Sequence, residues 1–232
     1  MKKITFILAI CFSVIACKKN EVEVIIPTTT ITFEHLLTPN HSMVRSSGSD
    51  IVDVIKEQTP NYINVTLKDI NTDKVYTCKS NEVITLPIGE YEVSGSYPGN
   101  IIHNAMSSTP NLKCDSFFIS ITDTTNTIVL NIYYDCYVVV AMVNECENCV
   151  YNYTNGNNYF PKKKEYYIGF FEYGDIEITL IPYDNSTEFV TTTYNFSTTY
   201  NTNNKDYFYA EYGKYYLIHP QRVDKNDIYS NK

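Results

Sequence analysis

An alternation of apolar and polar residues from Ile63 to Lys68 sets the strongest constraint on the fold. Alternation with a period of two predicts a strand with one buried face, and the polar run at residues 69–74 predicts a turn after it. Similar pairs of runs recur along the chain. Tyr, Thr, Ile, Val and Asn dominate the composition while Ala and Leu are scarce, which also favours strands. The sequence therefore predicts an all-β fold built from sandwiches.

Two segments depart from this alternation. Residues 50–58 place Ile51, Val54 and Ile55 at helical spacing ahead of Pro60, which predicts one short helix. Residues 137–143 are apolar without alternation, which predicts a central strand that is buried on both faces.

The length and the uneven use of tyrosine favour two domains. Of the 22 tyrosines, 4 precede residue 130 and 18 follow it, so the two halves should have different surfaces. We predict an N-terminal β-sandwich over residues 28–131, a tyrosine-rich β-sandwich over residues 132–220, and a polar tail over residues 221–232.

The N-terminus has the layout of an export signal. Lys2 and Lys3 precede an apolar run at residues 4–16, and Val14-Ile15-Ala16-Cys17 resembles a lipobox. This resemblance implies a lipoprotein signal peptide over residues 1–16 and a lipid, such as palmitate, on Cys17. An ordinary secretory signal or an uncleaved helix is the alternative, but the charged residues 18–23 argue against both and suit a tether over residues 17–27.

That charged segment is similar to the export signals that follow the lipidated cysteine in surface lipoproteins of didermal gut bacteria. The similarity implies an outer-membrane protein that faces the cell exterior. Loss of residues 1–16 changes the formal net charge from −8 to −10, because Lys2 and Lys3 leave with them. A chain this acidic is not expected to bind nucleic acid, so the expected partners are the membrane, protein subunits or glycans.

Residues 63–99 resemble the fimbrillin-type and transthyretin-like sandwich modules of surface lipoproteins. The resemblance rests on a strand, a turn, a return strand and then Leu86-Pro87-Ile88-Gly89-Glu90-Tyr91, where Pro and Gly fix a turn and Tyr begins the next strand. It implies an adhesion or pilus-associated component. In that family the precursor is trimmed after an arginine, for which Arg45 is a candidate; the alternative is an ordinary surface arginine. The polar tail departs from the pilin pattern.

Five cysteines besides Cys17 lie in the predicted domains, and they allow several interpretations. Cys146 and Cys149 could form a disulfide with each other, or one of them with Cys136, and Cys78 could pair with Cys114. A redox-active pair or a zinc site at residues 146–149 are weaker alternatives, since the surroundings are acidic and no second cysteine pair has suitable spacing.

Aromatic and amide side chains are mixed in one loop-rich segment. Tyr151, Tyr153, Tyr159 and Phe160 lie among several asparagines, a combination that can stack on and hydrogen-bond to sugars. The alternative is that these rings are ordinary strand residues. The sequence has no glycine-rich phosphate loop and no catalytic serine or metalloprotease motif. We therefore expect a non-catalytic surface protein without cofactor or metal, with glycan binding in a polysaccharide-capture system as the alternative to adhesion.

Overall fold

Strands make up most of the protein, so the all-β prediction is confirmed. The computed structural model describes residues 26–37, 49–103, 105–153, 156–172, 174–199 and 207–223. Up to residue 134 the elements are β1 (Thr28–Leu37), α1 (Ser49–Glu57), β2 (Asn64–Asp69), β3 (Val75–Lys79), β4 (Ile84–Pro87), β5 (Gly89–Tyr97), β6 (Ile101–His103), β7 (Met106–Ser107), β8 (Leu112–Ile121) and β9 (Thr127–Tyr134). Beyond it they are β10 (Tyr137–Met142), β11 (Asn148–Tyr153), β12 (Gly156–Tyr159), β13 (Lys162–Lys163), β14 (Tyr166–Phe171), β15 (Ile176–Ile181), β16 (Phe189–Val190), β17 (Thr192–Ser197), β18 (Phe208–Tyr209), β19 (Tyr215–Ile218) and β20 (Gln221–Arg222).

The first sheet joins seven strands in the order β3-β2-β5-β8-β9-β1-β4. Its inner face is apolar because alternate residues of each strand, such as Val65 and Leu67 of β2, point into a buried cluster. The helix α1 packs against the same cluster through Ile51, Val54 and Ile55, the three residues whose spacing predicts it. The polar alternates of β2, β5 and β8 lie on the opposite, outer face.

The strand β1 bridges two parts of this sheet. Its first residues pair antiparallel with β4, with Thr28 opposite Pro87. From Thr32 onward it pairs in parallel with β9. Ile31, at the change of partner, is fully buried in the first core. The first strand of the chain therefore completes both the sheet and its core.

The turn between β4 and β5 is the one predicted from its proline and glycine. Tyr91 lies on the third residue of β5, is fully buried, and donates a hydrogen bond from its hydroxyl to the Pro87 carbonyl at 2.9 Å. Burial of the phenol raises the pKa of Tyr91 to about 12. The buried side chain of Tyr91 thus stabilises the turn between β4 and β5.

A second, central sheet has apolar side chains on both faces. Its strand order is β19-β10-β14-β7-β6, and β13 pairs with β14 off that path. Along β10, Val138 and Val140 belong to the first core, whereas Tyr137 and Val139 belong to a second one. The central strand predicted over residues 137–143 is thus confirmed as β10, and its lack of alternation reflects burial on both sides.

The third sheet covers the second core. Its order is β12-β11-β15-β17-β18, and its buried aromatic rings meet those of the central sheet. The rings of Tyr151 on β11 and Phe171 on β14, for example, meet edge to face with centroids 5.5 Å apart. A separate ribbon pairs β16 with β20, so Gln221 and Arg222 at the start of the predicted tail form a strand. Residues 224–232 of that tail lie outside the described residues.

The two cores share the central sheet. The strands β6 and β7 precede the predicted boundary at residues 131/132, yet β7 pairs with β14, and the first core includes Val138 and Tyr215 from beyond the boundary. The boundary therefore does not separate the two cores, which lie on opposite faces of one sheet. Within the described residues, no helix combines the length and apolar character that crossing a membrane requires.

Candidate binding cleft on the outer face of the first sheet

A cleft of about 640 Å³ that is lined mostly by polar residues lies on the outer face of the first sheet, and we call it the outer-face cleft. Its floor consists of side chains from three neighbouring strands. Asn64, Ser96 and Lys113 stand opposite one another across β2, β5 and β8, and Thr66 and Ser94 form the next row. Because residues two apart on a strand share a face, the sequence alternation that builds the core also builds this floor.

A β-bulge in β8 adds a second polar group to the floor. Val93 pairs with Phe117 and Gly95 with Cys114, so Asp115 and Ser116 together oppose the single residue between Val93 and Gly95. Both are exposed, whereas regular alternation would turn Ser116 inward. Bulges commonly re-aim side chains beside functional sites. Here the bulge turns two adjacent side chains into the cleft.

Asn111, at one end of the cleft, ties together the connections between the first and central sheets. Its side-chain oxygen accepts a 2.5 Å hydrogen bond from the Gly99 N–H, and its amide group donates to Glu172. Its backbone carbonyl accepts from the Asp135 N–H at 2.9 Å and is also approached by the Cys136 thiol. A Cβ at Gly99 would lie 2.2 Å from the Asn111 side-chain oxygen, so only glycine leaves room for this contact.

The carboxylate of Asp115 is held in place by two neighbours. Tyr133 donates its hydroxyl to Asp115 Oδ1 at 2.6 Å, and Lys113 Nζ lies 3.6 Å from the same oxygen. Burial, together with this hydrogen bond to Asp115, raises the pKa of Tyr133, so the phenol stays protonated and remains a donor. The second oxygen of Asp115 is left able to accept a further hydrogen bond.

An aromatic residue, Tyr97, borders the cleft, and its ring packs partly against the first core. Tyr97 ends β5, and its ring meets that of Tyr62 edge to face, with centroids 5.7 Å apart and an interplanar angle of 82°. Lys79 in turn places its ammonium group 4.9 Å from the centroid of the Tyr62 ring. These contacts fix the orientation of the Tyr97 ring.

The sequence marks none of the polar cleft residues as part of a binding site. One signal was readable: Cys114 and Phe117 are the inward residues of β8 and are three apart, which breaks the period of two. Such a slip indicates a bulge. Asn111, in contrast, follows Thr109-Pro110 and has the appearance of an ordinary loop residue.

Two of the four aromatic residues that the sequence suggests for sugar binding are buried, so the four do not form one exposed surface. Tyr151 is 1% exposed and Phe160 4% exposed, and both rings pack against Phe171 in the second core. They are buried because Tyr151 on β11 and Phe160, directly after β12, face the central sheet. Tyr159 is exposed, while the side chain of Tyr153 lies outside the described part of the chain.

None of the five cysteines among the described residues is bridged in the structure, and two of the predicted pairs lie too far apart to form a disulfide. Cys78 and Cys114 lie in the same row on β3 and β8 but are separated by β2 and β5, a span of about 14 Å at the usual strand spacing. A disulfide requires Cα atoms no more than about 7 Å apart. Cys136 precedes β10 and belongs to the first core, whereas Cys146 and Cys149 lie beyond its other end in the second core.

A bridge between Cys146 and Cys149 stays a prediction. Burial and the nearby Glu145 raise the pKa of Cys146 to about 11, and burial raises that of Cys136 to about 12. These shifts are opposite to those of redox-active thiols, which are acidified by their surroundings. The described residues contain no group of three metal-ligating side chains. The predicted positions Cys17 and Arg45 lie outside the described residues.

Comparisons with known proteins find resemblance only at the level of structure. The chain matches no protein-family profile, and it matches no curated protein. A structure from Bacteroides ovatus assigned as an adhesin aligns over 74% of this chain and 83% of its own, at 11% identity and a TM-score of 0.33. A second adhesin assignment, from Bacteroides thetaiotaomicron, aligns over 72% and 80% at 9% identity and 0.33. The pilus adhesin SpaC of Lactobacillus rhamnosus GG aligns over 84% and 31% at 9% and 0.28. Likeness of this degree carries no inference about this chain.

Proposed function

We propose that this protein is a non-catalytic adhesion component of the cell surface, tethered to the outer membrane by lipid on Cys17 and facing the exterior. The observation that carries the proposal is the outer-face cleft, an open site lined by hydroxyl, amide and carboxylate groups. A site of this composition can hold a ligand through many hydrogen bonds.

The bonding of the acidic groups favours binding over catalysis. Asp115 accepts a hydrogen bond from Tyr133 and forms an ion pair with Lys113, and Glu172 accepts a hydrogen bond from Asn111. A general acid or base must exchange protons with its substrate, whereas these carboxylates serve as fixed acceptors. The arrangement therefore fits orientation of a ligand rather than a proton transfer.

The proposed location rests on the sequence around Cys17. The lipobox-like residues 14–17 and the charged residues 18–23 fit a lipid anchor followed by a hydrated tether. Radiolabelled palmitate should enter the wild-type chain and not the Cys17→Ala variant. Proteinase K added to intact cells should degrade the protein. A chain that stays whole on intact cells, beside a degraded surface control, would contradict exposure to the exterior.

Adhesion itself is tested with intact cells. Cells that produce the protein should bind to mucin-coated and epithelial surfaces several times better than cells that lack it, and proteinase K treatment should abolish the difference. Equal binding by both strains at verified surface expression would end the adhesion proposal.

The pilus-associated form of this proposal depends on β1. Cleavage after Arg45 would separate β1 from the rest of the chain and open the space between β4 and β9, where Ile31 is buried. A strand from another subunit could fill that space by pairing with the same edges. Cleaved wild-type protein should then form heat-resistant ladders on a gel, and uncleaved Arg45→Ala protein should not. A strict monomer after cleavage would exclude strand exchange.

A further inference from the structure

We propose that the outer-face cleft binds the terminal sugar of a neutral glycan. This inference rests on the proposed adhesion function and names the class of ligand. It places the site on the first sheet, whereas the tyrosines of β11 and β12 lie on the third.

The floor of the cleft matches the chemistry of a sugar. Asn64, Thr66, Ser94, Ser96 and Ser116 present hydroxyl and amide groups, each able to donate and to accept a hydrogen bond. A pyranose carries hydroxyl groups with the same dual capacity around its ring. The two rows of the floor are spaced by the pleat of the sheet, at about 7 Å along a strand, which is close to the width of one sugar ring.

The charged groups at the rim favour a neutral ligand. Asp115, Asp135 and Glu172 line the cleft together with a single cation, Lys113, which already lies 3.6 Å from Asp115. A carboxylate or sulfate on the ligand would face this excess of negative charge. Sugar hydroxyls, in contrast, can donate to the carboxylates, which are the stronger acceptors. Uronic acids and sialic acid are therefore disfavoured.

The test combines a glycan array with calorimetric titration, using the full chain purified in detergent. The array carries neutral glucose, mannose and galactose oligosaccharides beside sialylated and uronic-acid glycans. The strongest neutral hit is then titrated into wild type and into Thr66→Val and Ser116→Ala, which remove one hydroxyl each. The matched control is Thr77→Val, because Thr77 lies opposite Thr66 on the same sheet but outside the cleft. Tyr159→Ala tests the exposed tyrosine of β12.

We expect a neutral ligand whose Kd rises about 3- to 10-fold in each cleft variant and stays unchanged in Thr77→Val and Tyr159→Ala. Silence of all neutral glycans, binding of acidic glycans alone, or loss of binding in Tyr159→Ala with intact cleft variants would each overturn the inference. If cells adhere equally well with the cleft variants, adhesion stands and the cleft assignment fails. If cells do not adhere at all, the proposed function fails whatever the cleft binds.

Discussion

The substitution Asn111→Asp tests the joint between the first and central sheets. The new carboxylate can still accept from the Gly99 N–H, but its second oxygen replaces the group that donates to Glu172. The wild-type hydrogen bond to a carboxylate is worth about 1.5 to 3 kcal/mol. Repulsion between two carboxylates adds to this loss, reduced by solvent because Glu172 is only partly buried. We expect the free energy of unfolding to fall by about 3 kcal/mol at pH 7 and Tm by about 6 to 12 °C.

The loss of stability in Asn111→Asp should depend on pH. Repulsion raises the pKa of the carboxylate pair in the folded variant, so the folded state binds a proton more tightly than the unfolded chain. The difference in the free energy of unfolding between wild type and Asn111→Asp should therefore become smaller as the pH falls from 7 toward 4, and larger again as the pH rises. Urea unfolding followed by circular dichroism at several pH values measures it.

A second substitution supplies the control. Glu172→Gln in the Asn111→Asp background replaces one carboxylate with an amide that can donate to the new one. This double variant should recover most of the lost stability at pH 7, although Glu172→Gln alone should cost about 1 kcal/mol. Wild-type stability for Asn111→Asp, or no recovery in the double variant, would refute the assigned hydrogen bond.

Further predictions concern buried groups. Tyr137→Phe should leave the protein equally stable or stabilise it by up to about 1 kcal/mol in urea unfolding, because this buried hydroxyl has no hydrogen-bond partner among the described residues. Gly169→Ala should cost about 1 to 3 kcal/mol, since its Cβ would lie 2.6 Å from the Phe160 ring, whereas Gly89→Ala, with 3.7 Å to its nearest neighbour, should unfold close to wild type. Iodoacetamide mapped by mass spectrometry should label half-buried Cys78 before Cys136 and Cys149 in folded protein; burial raises the pKa of Cys78 to about 11, so its rate should climb steeply above pH 8. Equal rates at all three cysteines would contradict the described burial.

Local patterns predicted the parts of the fold that depend on neighbouring residues. The alternation of residues 63–68 corresponds to β2, the helical spacing of Ile51, Val54 and Ile55 to α1, and the unbroken apolar run from Tyr137 to β10. In each case the spacing of the apolar residues depends only on which sides of that one strand or helix are buried.

Such local patterns could not predict which distant segments pair with each other. The short strand β7 pairs with β6 and also with β14, some sixty positions later, so the central sheet contains strands from both sides of the predicted boundary. Tyr151 and Phe160 are suitable both for a sugar-binding surface and for a core, and only the packing around Phe171 decides between the two. The cleft likewise depends on register, because Asn64, Ser96 and Lys113 come together only once three strands are aligned.

Adhesion of intact cells to a surface coated with neutral glycan tests most directly whether the outer-face cleft mediates attachment. Cells should carry, at equal surface levels, the wild-type protein, the Thr66→Val/Ser116→Ala double variant, or the Thr77→Val control. If the cleft mediates attachment, only the double variant should show a several-fold loss of bound cells. Equal adhesion by all three strains would contradict this role of the cleft.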